Sequence, residues 1–259
     1  HKPPQSTIPK IITGVLTIRQ AIDFHWDTLV LPNKIALDFR RVSIQNGTVI
    51  FNDTKLSGSV FFKNVSFGGK LAKQTVYASW FGLHGDGVKD DSRALNALFS
   101  CIEGQYCTFV FNENRDYAVS GHSHVEICRN TTVKNKNARI VLKDYSDIGS
   151  VVIIKEGADS VTINGLIING GGKGVIVGNS GQNGLSLGLS NNDICVVDVQ
   201  IDDCIRGIDT KLGGVFLYGD GGKGIQIENA SCVNCIFNGF TINNCSIAIS
   251  SHKSNHETG

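Results

Sequence analysis

Trp80-Phe81-Gly82-Leu83-His84-Gly85-Asp86-Gly87-Val88-Lys89-Asp90-Asp91-Ser92 decides the fold: a glycine-rich turn carrying three carboxylates runs directly into an amphipathic helix. Downstream, Leu95, Leu98, Phe99 and Ile102 recur at i, i+3, i+4 and i+7, one apolar stripe on a helix of about three turns. Asp90, Asp91 or Ser92 can accept hydrogen bonds from the N–H groups of its first turn, and Gly104 can end it. Gly85 and Gly87 suit a turn that needs positive φ, and carboxylates favour the positive end of a helix. The same acids could form a catalytic or calcium cluster. The structural reading, turn plus helix cap, accounts for Gly85, Asp86, Gly87, Asp90, Asp91 and Ser92 together and is preferred.

The pattern G-x-x-G-D-G-x-x-D-D-[ST]-x-A-[IL] over residues 82–95 resembles the opening segment of the pectate-lyase-like superfamily, which includes phage tailspikes and polysaccharide-degrading enzymes. That resemblance implies an all-β chain, a right-handed parallel β-helix (a solenoid), with a short α-helix capping its N-terminal end. It continues past the helix, where Thr108–Phe111 and Asp116–Ser120 take the place of the family's strand, P-x-G-x-Y turn and second strand. Only the turn departs, with Asn112-Glu113-Asn114-Arg115 in place of the usual Pro and Gly. Before the motif, Leu29–Pro32, Leu37–Phe39 and Ile44–Ile50 look like the β-rich lead-in of uncharacterised Bacteroidetes and phage β-helix proteins. The resemblance spans residues 28 to 250 and is specific for fold, not for chemistry.

The residues themselves point the same way. Short Gly-apolar-x-apolar units recur at Gly174–Val177, Gly184–Leu187, Gly207–Asp209, Gly224–Ile227 and Gly239–Ile242, an irregular period of the kind a solenoid with uneven loops produces. Apolar residues at every second position can stack on the coils above and below. Asn tolerates left-handed backbone, so Asn ladders are expected at the turns, with Asn164, Asn169, Asn243 and Asn244 as candidates. From 28 to 67, short strands are separated by Asn46-Gly47, Asn52-Asp53, Ser57-Gly58 and Gly68-Gly69. Pro3, Pro4 and Pro9 argue for an extended start, and Ile18–Phe24 could form a short helix. A soft boundary near Gln74 divides a β-rich lead-in, 1–76, from the capping segment and β-helix, 77–259.

Composition narrows the function. With 24 basic and 23 acidic residues in 259, the net charge is +1, which gives no support for a nucleic-acid partner. Runs such as Val151–Ile154 fall far short of the roughly 20 apolar residues that span a bilayer, so no membrane insertion is expected. The chain opens on His1 and contains no Met, so it is expected to be a piece of a longer protein whose stack continues past Gly259. Eight cysteines spread through a chain of this size are expected as free thiols, with Cys204 and Cys245 in equivalent settings.

Catalytic candidates lie late in the chain. Asp202-Asp203-Cys204-Ile205 resembles the D-D-C-[IV] signature of polygalacturonase-type hydrolases, in which paired carboxylates protonate the leaving oxygen and activate water. The accompanying G-H-G and R-I-K segments are missing, and the internal repeat equates Asp202-Asp203-Cys204 with Asn243-Asn244-Cys245, which offers a turn role instead. Lyase chemistry would need a base such as Arg206, with Asp209, Lys211 and Asp220 binding substrate and acids holding calcium against a uronate carboxylate. Apart from that calcium, no cofactor and no metal site is expected. Cys232-Val233-Asn234-Cys235 and His122-Ser123-His124 each lack a second ligand pair. Gly170–Gly174 and Asp220–Gly224 lack the P-loop spacing and read as loops. Asn-x-[ST] triplets such as Asn46-Gly47-Thr48 reflect turn composition. The expected partner is a polysaccharide, bound by an extracellular, cell-surface or virion-associated protein that could form a homotrimer; the alternative is a non-catalytic adhesin or tail-fibre module.

Overall fold

The computed structural model describes residues 14–120, 124–135, 137–142, 149–155 and 157–169, and beyond these the strands between 182 and 252; for 149, 150 and every residue from 182 on, only the backbone is described. The fold is a parallel β-helix. Strands β1 (Val15–Ile18), β2 (Ile22–Asp23) and β3 (Thr28–Val30) pair in parallel with one long extended segment, β4 (Ala36–Leu71). After β5 (Thr75–Tyr77), a 3-10 turn (Ala78–Phe81), β6 (Asp86–Asp90) and α1 (Ser92–Ile102), the chain settles into three short strands per circuit. These are β7 (Cys107–Val110), β8 (Asp116–Val119) and β9 (Val125–Ile127), then β10 (Thr131–Lys134), β11 (Arg139–Leu142) and β12 (Gly149–Ile154), then β13 (Asp159–Asn164), β14 (Ile167–Asn169) and β15 (Gln182–Leu187). The last strands are β16 (Asn192–Val197), β17 (Gln200–Asp202), β18 (Arg206–Thr210), β19 (Ile225–Glu228), β20 (Ile236–Asn238), β21 (Thr241–Asn243) and β22 (Ser250–His252).

They form three sheets of 6 parallel strands: sheet I (β5, β7, β10, β13, β16, β20), sheet II (β6, β8, β11, β14, β17, β21) and sheet III (β9, β12, β15, β18, β19, β22). Strands Thr108–Phe111 and Asp116–Ser120, adjacent in sequence, therefore lie on different sheets either side of a corner and do not pair with each other. Register gives each sheet its inward column: Val76, Phe109, Val133 and Ile163 on sheet I, Tyr117, Ile140 and Ile168 on sheet II, Val125 and Val152 on sheet III, all 1% exposed or less. Alternation along each strand turns the intervening residues outward.

β4 is wound rather than straight. Arg41, Asn46, Asp53 and Asn64 have φ between +51° and +57°, and Gly58 and Gly69 have φ of +83° and +75°. Burial steps by two along a side and by three across a corner: Phe39 to Val42 past Arg41, Ile44 to Gly47 past Asn46, Phe51 to Thr54 past Asp53. The lead-in is thus the same coiled architecture on shorter circuits. The stretch Ile18–Phe24 is part of it, holding a corner between β1 and β2 instead of a helix. Ile18 and Ile22 sit four apart, which a helix and a coil corner share, and parallel pairing with β4 decides between them. One ladder of the expected kind stands here: the Asn46 amide donates to Asp23 at 3.0 Å and the Asn64 amide to Asn46 at 3.2 Å, one circuit apart each time.

A single apolar core runs from Leu31 to Ile168. Phe62 touches the rings of Phe39, Phe67 and Phe81 at centroid distances of 6.0, 5.1 and 5.6 Å, and the aromatic series resumes through Phe99, Phe109, Phe111 and Tyr117 at about 5 Å each. Helix α1 stands where a third side would run, packed between β4 and β9, with Leu95, Leu98, Phe99 and Ile102 wholly buried. It covers the N-terminal edge of sheet III, whose first strand is β9: the Asn96 side-chain amide donates to the His124 carbonyl at 2.7 Å and its oxygen accepts the Glu126 N–H at 2.8 Å. Cys101, Cys107 and Cys128 are buried free thiols, and burial pushes Cys101 up to about 12 and Cys128 to about 11. No helix among the described residues is long and apolar enough to cross a membrane.

Close stacking leaves no room for a side chain where a corner glycine crosses the coil beneath. A Cβ on Gly69 would lie 1.9 Å from the Phe51 carbonyl oxygen, and one on Gly58 2.0 Å from that of Phe39. Gly157, at φ +68°, has nothing within 4 Å. Gly69→Ala is accordingly expected to lose several kcal/mol of stability in chemical denaturation, whereas Gly157→Ala should lose about 1–2 kcal/mol, the left-handed backbone term alone.

Candidate functional site

The opening segment is held by its own carboxylates. Gly85 and Gly87 take φ of +55° and +72°, and Gly87 passes so close to Asp116 that an added Cβ would sit 3.2 Å from that residue's Cβ. Asp86 Oδ1 accepts the backbone N–H groups of Val88 and Lys89, both at 2.9 Å, and the Lys89 N–H is the larger cause of its carboxyl lying below the usual range. Asp90 Oδ1 accepts the Ser92 N–H at 2.8 Å and so serves the first turn of α1. Asp91 does not cap the helix with its side chain. It is 1% exposed, and its carboxylate accepts the N–H of His84 at 2.8 Å and of Gly85 at 2.9 Å, with the His84 Nδ1 at 3.2 Å. Ser92 Oγ accepts the Ser120 N–H at 3.0 Å, tying the helix start to the next circuit. These bonds are all within the chain and enclose Asp91, so the segment acts as a clasp between coils.

Outside the clasp, ion pairs join different circuits. Glu103 lies 3.5 Å from the Lys70 Nζ of the lead-in and 3.5 Å from the Lys155 Nζ of a later coil. Desolvation raises its carboxyl, but the two ammonium groups outweigh it and the net displacement is downward. On sheet II, Arg139 Nε donates to Asp116 Oδ1 at 2.8 Å and its Nη2 to Oδ2, a two-pronged pair across one rung, and this bond holds the Asp116 carboxyl below its ordinary value. Among the described residues no group of three or more His, Cys, Asp or Glu side chains is arranged to hold a metal ion; His124 pairs with Glu126 at 3.3 Å.

The late-chain candidates divide between two sheets. Asp202 ends β17 on sheet II, in register with Asn169 on one side and Asn243 on the other. Arg206 opens β18 on sheet III opposite Asn183, and Asp209 stands in the same strand between Ser186 and Gln226. Asp203 lies outside the described residues, as do Lys211 and Asp220, Cys204, Cys232, Cys235 and Cys245, Asn244, His122, and residues 170–174 and 220–224. The register therefore brings Arg206 and Asp209 onto one strand and sets Asp202 on the neighbouring sheet.

Sheet I carries features that strand periodicity alone did not single out. Thr75, Thr108, Thr132 and Thr162 form one in-register column, flanked by exposed Tyr77, Tyr106 and Lys134. Tyr106 has φ of +54°, a backbone state that costs a bulky residue about 1–2 kcal/mol. The signal lies in comparing rungs, since Asn130 and Ser160 hold the same corner position at φ +55° and +56°.

Compared with protein-family models, with curated proteins and with solved structures, the chain matches none.

The depressed carboxyls set a pH dependence. Because the folded chain holds Asp116 below its ordinary value, the unfolded chain takes up the proton first; the stabilisation is present above the ordinary carboxylate range and is lost as pH falls through the folded value. Melting temperature is expected to fall as pH drops below about 4, and Asp116→Asn should flatten that fall while lowering stability at neutral pH. A melt series from pH 7 to pH 3 on both chains checks it.

Proposed function

We propose that this chain belongs to the pectate-lyase-like type of β-helix and lays an extended polysaccharide along its parallel sheets, cleaving it by hydrolysis or by lyase chemistry. The observation that carries the reading is the uninterrupted stack: six parallel strands per sheet, spaced about 4.8 Å apart, make strips about 24 Å long, and over β5, β7, β10 and β13 one threonine column repeats at every rung. A repeating strip suits a repeating ligand. The resemblance of residues 82–95 to the superfamily's opening segment supports the same class, and a fold of this kind hosts many chemistries, so the activity rests on the site. Such a protein would work outside the cell, on its surface or on a virion, and a homotrimer is the assembly we expect.

For hydrolysis, Asp202 and Asp203 are the proposed acid and base, one protonating the glycosidic oxygen while the other activates water. For elimination, Arg206 would remove the proton α to a uronate carboxylate, and Asp209, Lys211 and Asp220 would bind substrate. Calcium would neutralise that carboxylate in a lyase; no described cluster offers a ligand set, so no residue is assigned to it. A second reading, a glycan-binding or spacing module without catalysis, is favoured by one observation: Asp202 shares its column with Asn169 and Asn243.

Bacterial capsule and plant polysaccharides, followed for reducing ends and for unsaturated-uronate absorbance together, separate hydrolase, lyase and binder. On a polymer the protein degrades, Asp202→Asn and Asp203→Asn are each expected to reduce turnover at least 100-fold. Unchanged turnover would reject the assignment.

A further inference from the structure

We propose that one side of the lead-in coil, formed by β2 and by residues 42–45 and 60–63 of β4, is a contact surface for a second copy of this chain. The two copies meet across a two-fold axis parallel to the coil, so that the corner with Arg19 and Arg41 of each lies against the corner with Trp26 and Asp27 of the other. The contact is independent of the glycan reading, and its two-chain stoichiometry differs from the trimer expected there.

Between the register pairs Asp23–Gln45 and Thr28–Thr48, the first circuit turns its corner through Phe24, His25, Trp26 and Asp27, where the second uses only Asn46 and Gly47. His25 and Trp26 take up the difference in left-handed backbone, at φ +50° and +71°. The next two circuits turn here on Asn46 and Asn64, at φ +57° and +54°, and Asn enters that conformation at low cost whereas Trp does not. Packing gives no reason for the Trp. It is 74% exposed, meets no other ring among the described residues, and is held there only by its backbone N–H, which donates to the Asn46 carbonyl at 2.7 Å. A large apolar side chain displayed at conformational cost is what a contact surface requires.

The side that runs into this corner displays a second aromatic. Val60 and Phe62 are buried, so Phe61 between them faces outward, 48% exposed, as Ser43 does between Val42 and Ile44 one circuit earlier. At the far end of the same side stand Arg19 and Arg41, exposed and without an ion pair among the described residues, beside Arg40, which pairs with Asp38 at 2.7 Å. The Trp26 corner holds Asp27, Asp23 with His25 bonded to it at 3.1 Å, and exposed Lys63. Residues 19–27, 40–46 and 58–64 contain no other charged side chain, so the arginines gather at one corner and both acids at the other. A two-fold axis parallel to the coil sets this side face to face with itself, keeps the circuits level and exchanges the corners; an axis along the strands would set arginine against arginine. The exchanged arrangement offers each Trp26 ring and each Asp27 an arginine of the partner, and brings Phe61 to the level of its counterpart.

The test is the mass of the whole chain by sedimentation equilibrium over a concentration series. The unaltered chain is expected to form a pair that weakens as salt rises. Trp26→Asn should raise the Kd of pairing about 10-fold or more, while melting no lower than the parent at a dilution where both are single chains, because Asn fits the backbone that Trp strains. Arg19→Glu with Arg41→Glu should abolish pairing, and so should Asp27→Lys in a separate chain; mixing these two variants should restore a pair containing one of each. A parent that stays a single chain, or that forms a trimer, would overturn the two-fold contact. Variants that pair as the parent does would overturn the choice of face, a mixture that stays unpaired would overturn the exchange of corners, and a lower melting temperature for Trp26→Asn would overturn the displayed-aromatic argument. None of these readings involves a polysaccharide, so failure here and failure of the glycan reading are told apart.

Discussion

Each circuit of this chain must return to within one strand spacing of where it began, in register, or its backbone N–H and C=O groups go unpaired and its inward column breaks. That constraint is severe at two kinds of position. Inward residues must be apolar and stack on like residues, as Val76, Phe109, Val133 and Ile163 do on sheet I. Corners must turn the strand within one or two residues, which selects left-handed backbone and, at Gly58 and Gly69, the absence of a side chain where one coil crosses the carbonyl of another. Helix α1 obeys the same rule by other means. It fills one side of a circuit with a helical face whose apolar stripe meets β4 and whose Asn96 supplies both donor and acceptor to the first strand of sheet III.

Much of this was legible because it is local or strictly periodic. The stripe Leu95, Leu98, Phe99, Ile102 is buried as its spacing requires, and the glycine-apolar units at 184–187 and 207–209 fall within strands of sheet III. What escaped was the winding of the lead-in. Its burial period is two along each side and three at each corner, so averaged over Ala36–Leu71 it matches neither a straight strand nor a helix, and Ile18 and Ile22 imitate a helix turn. Asp91 stands at the N-cap position, its carbonyl accepting the Leu95 N–H, but its side-chain bonds run backward to His84 and Gly85 across a fold in the chain that sequence spacing does not display.

Ion pairs add a second layer that joins circuits rather than shaping them. Lys70, Glu103 and Lys155 come from three circuits, and Asp116 and Arg139 from two. Partly exposed pairs of this kind contribute little individually. Their effect is to favour one stacking register over a slipped one, since a one-residue slip on a parallel sheet would move every inward residue outward and every pair apart.

Function has to be read from positions the stack leaves free, and these positions do not carry equal weight. In the column Asn169, Asp202, Asn243, an Asp costs the backbone nothing relative to its Asn neighbours, so an acid there is compatible with chemistry and with a simple turn alike. Tyr106 differs, because the next circuit gives that corner to Asn130, which enters left-handed backbone at low cost, whereas an aromatic residue pays for it. A residue that departs from the architectural preference while offering the core nothing carries information that the architecture itself does not supply. By that criterion the outer face of sheet I, where two exposed tyrosines and a threonine column coincide with two lysines that form no ion pair among the described residues, is better distinguished from the scaffold than the acids at 202 and 203.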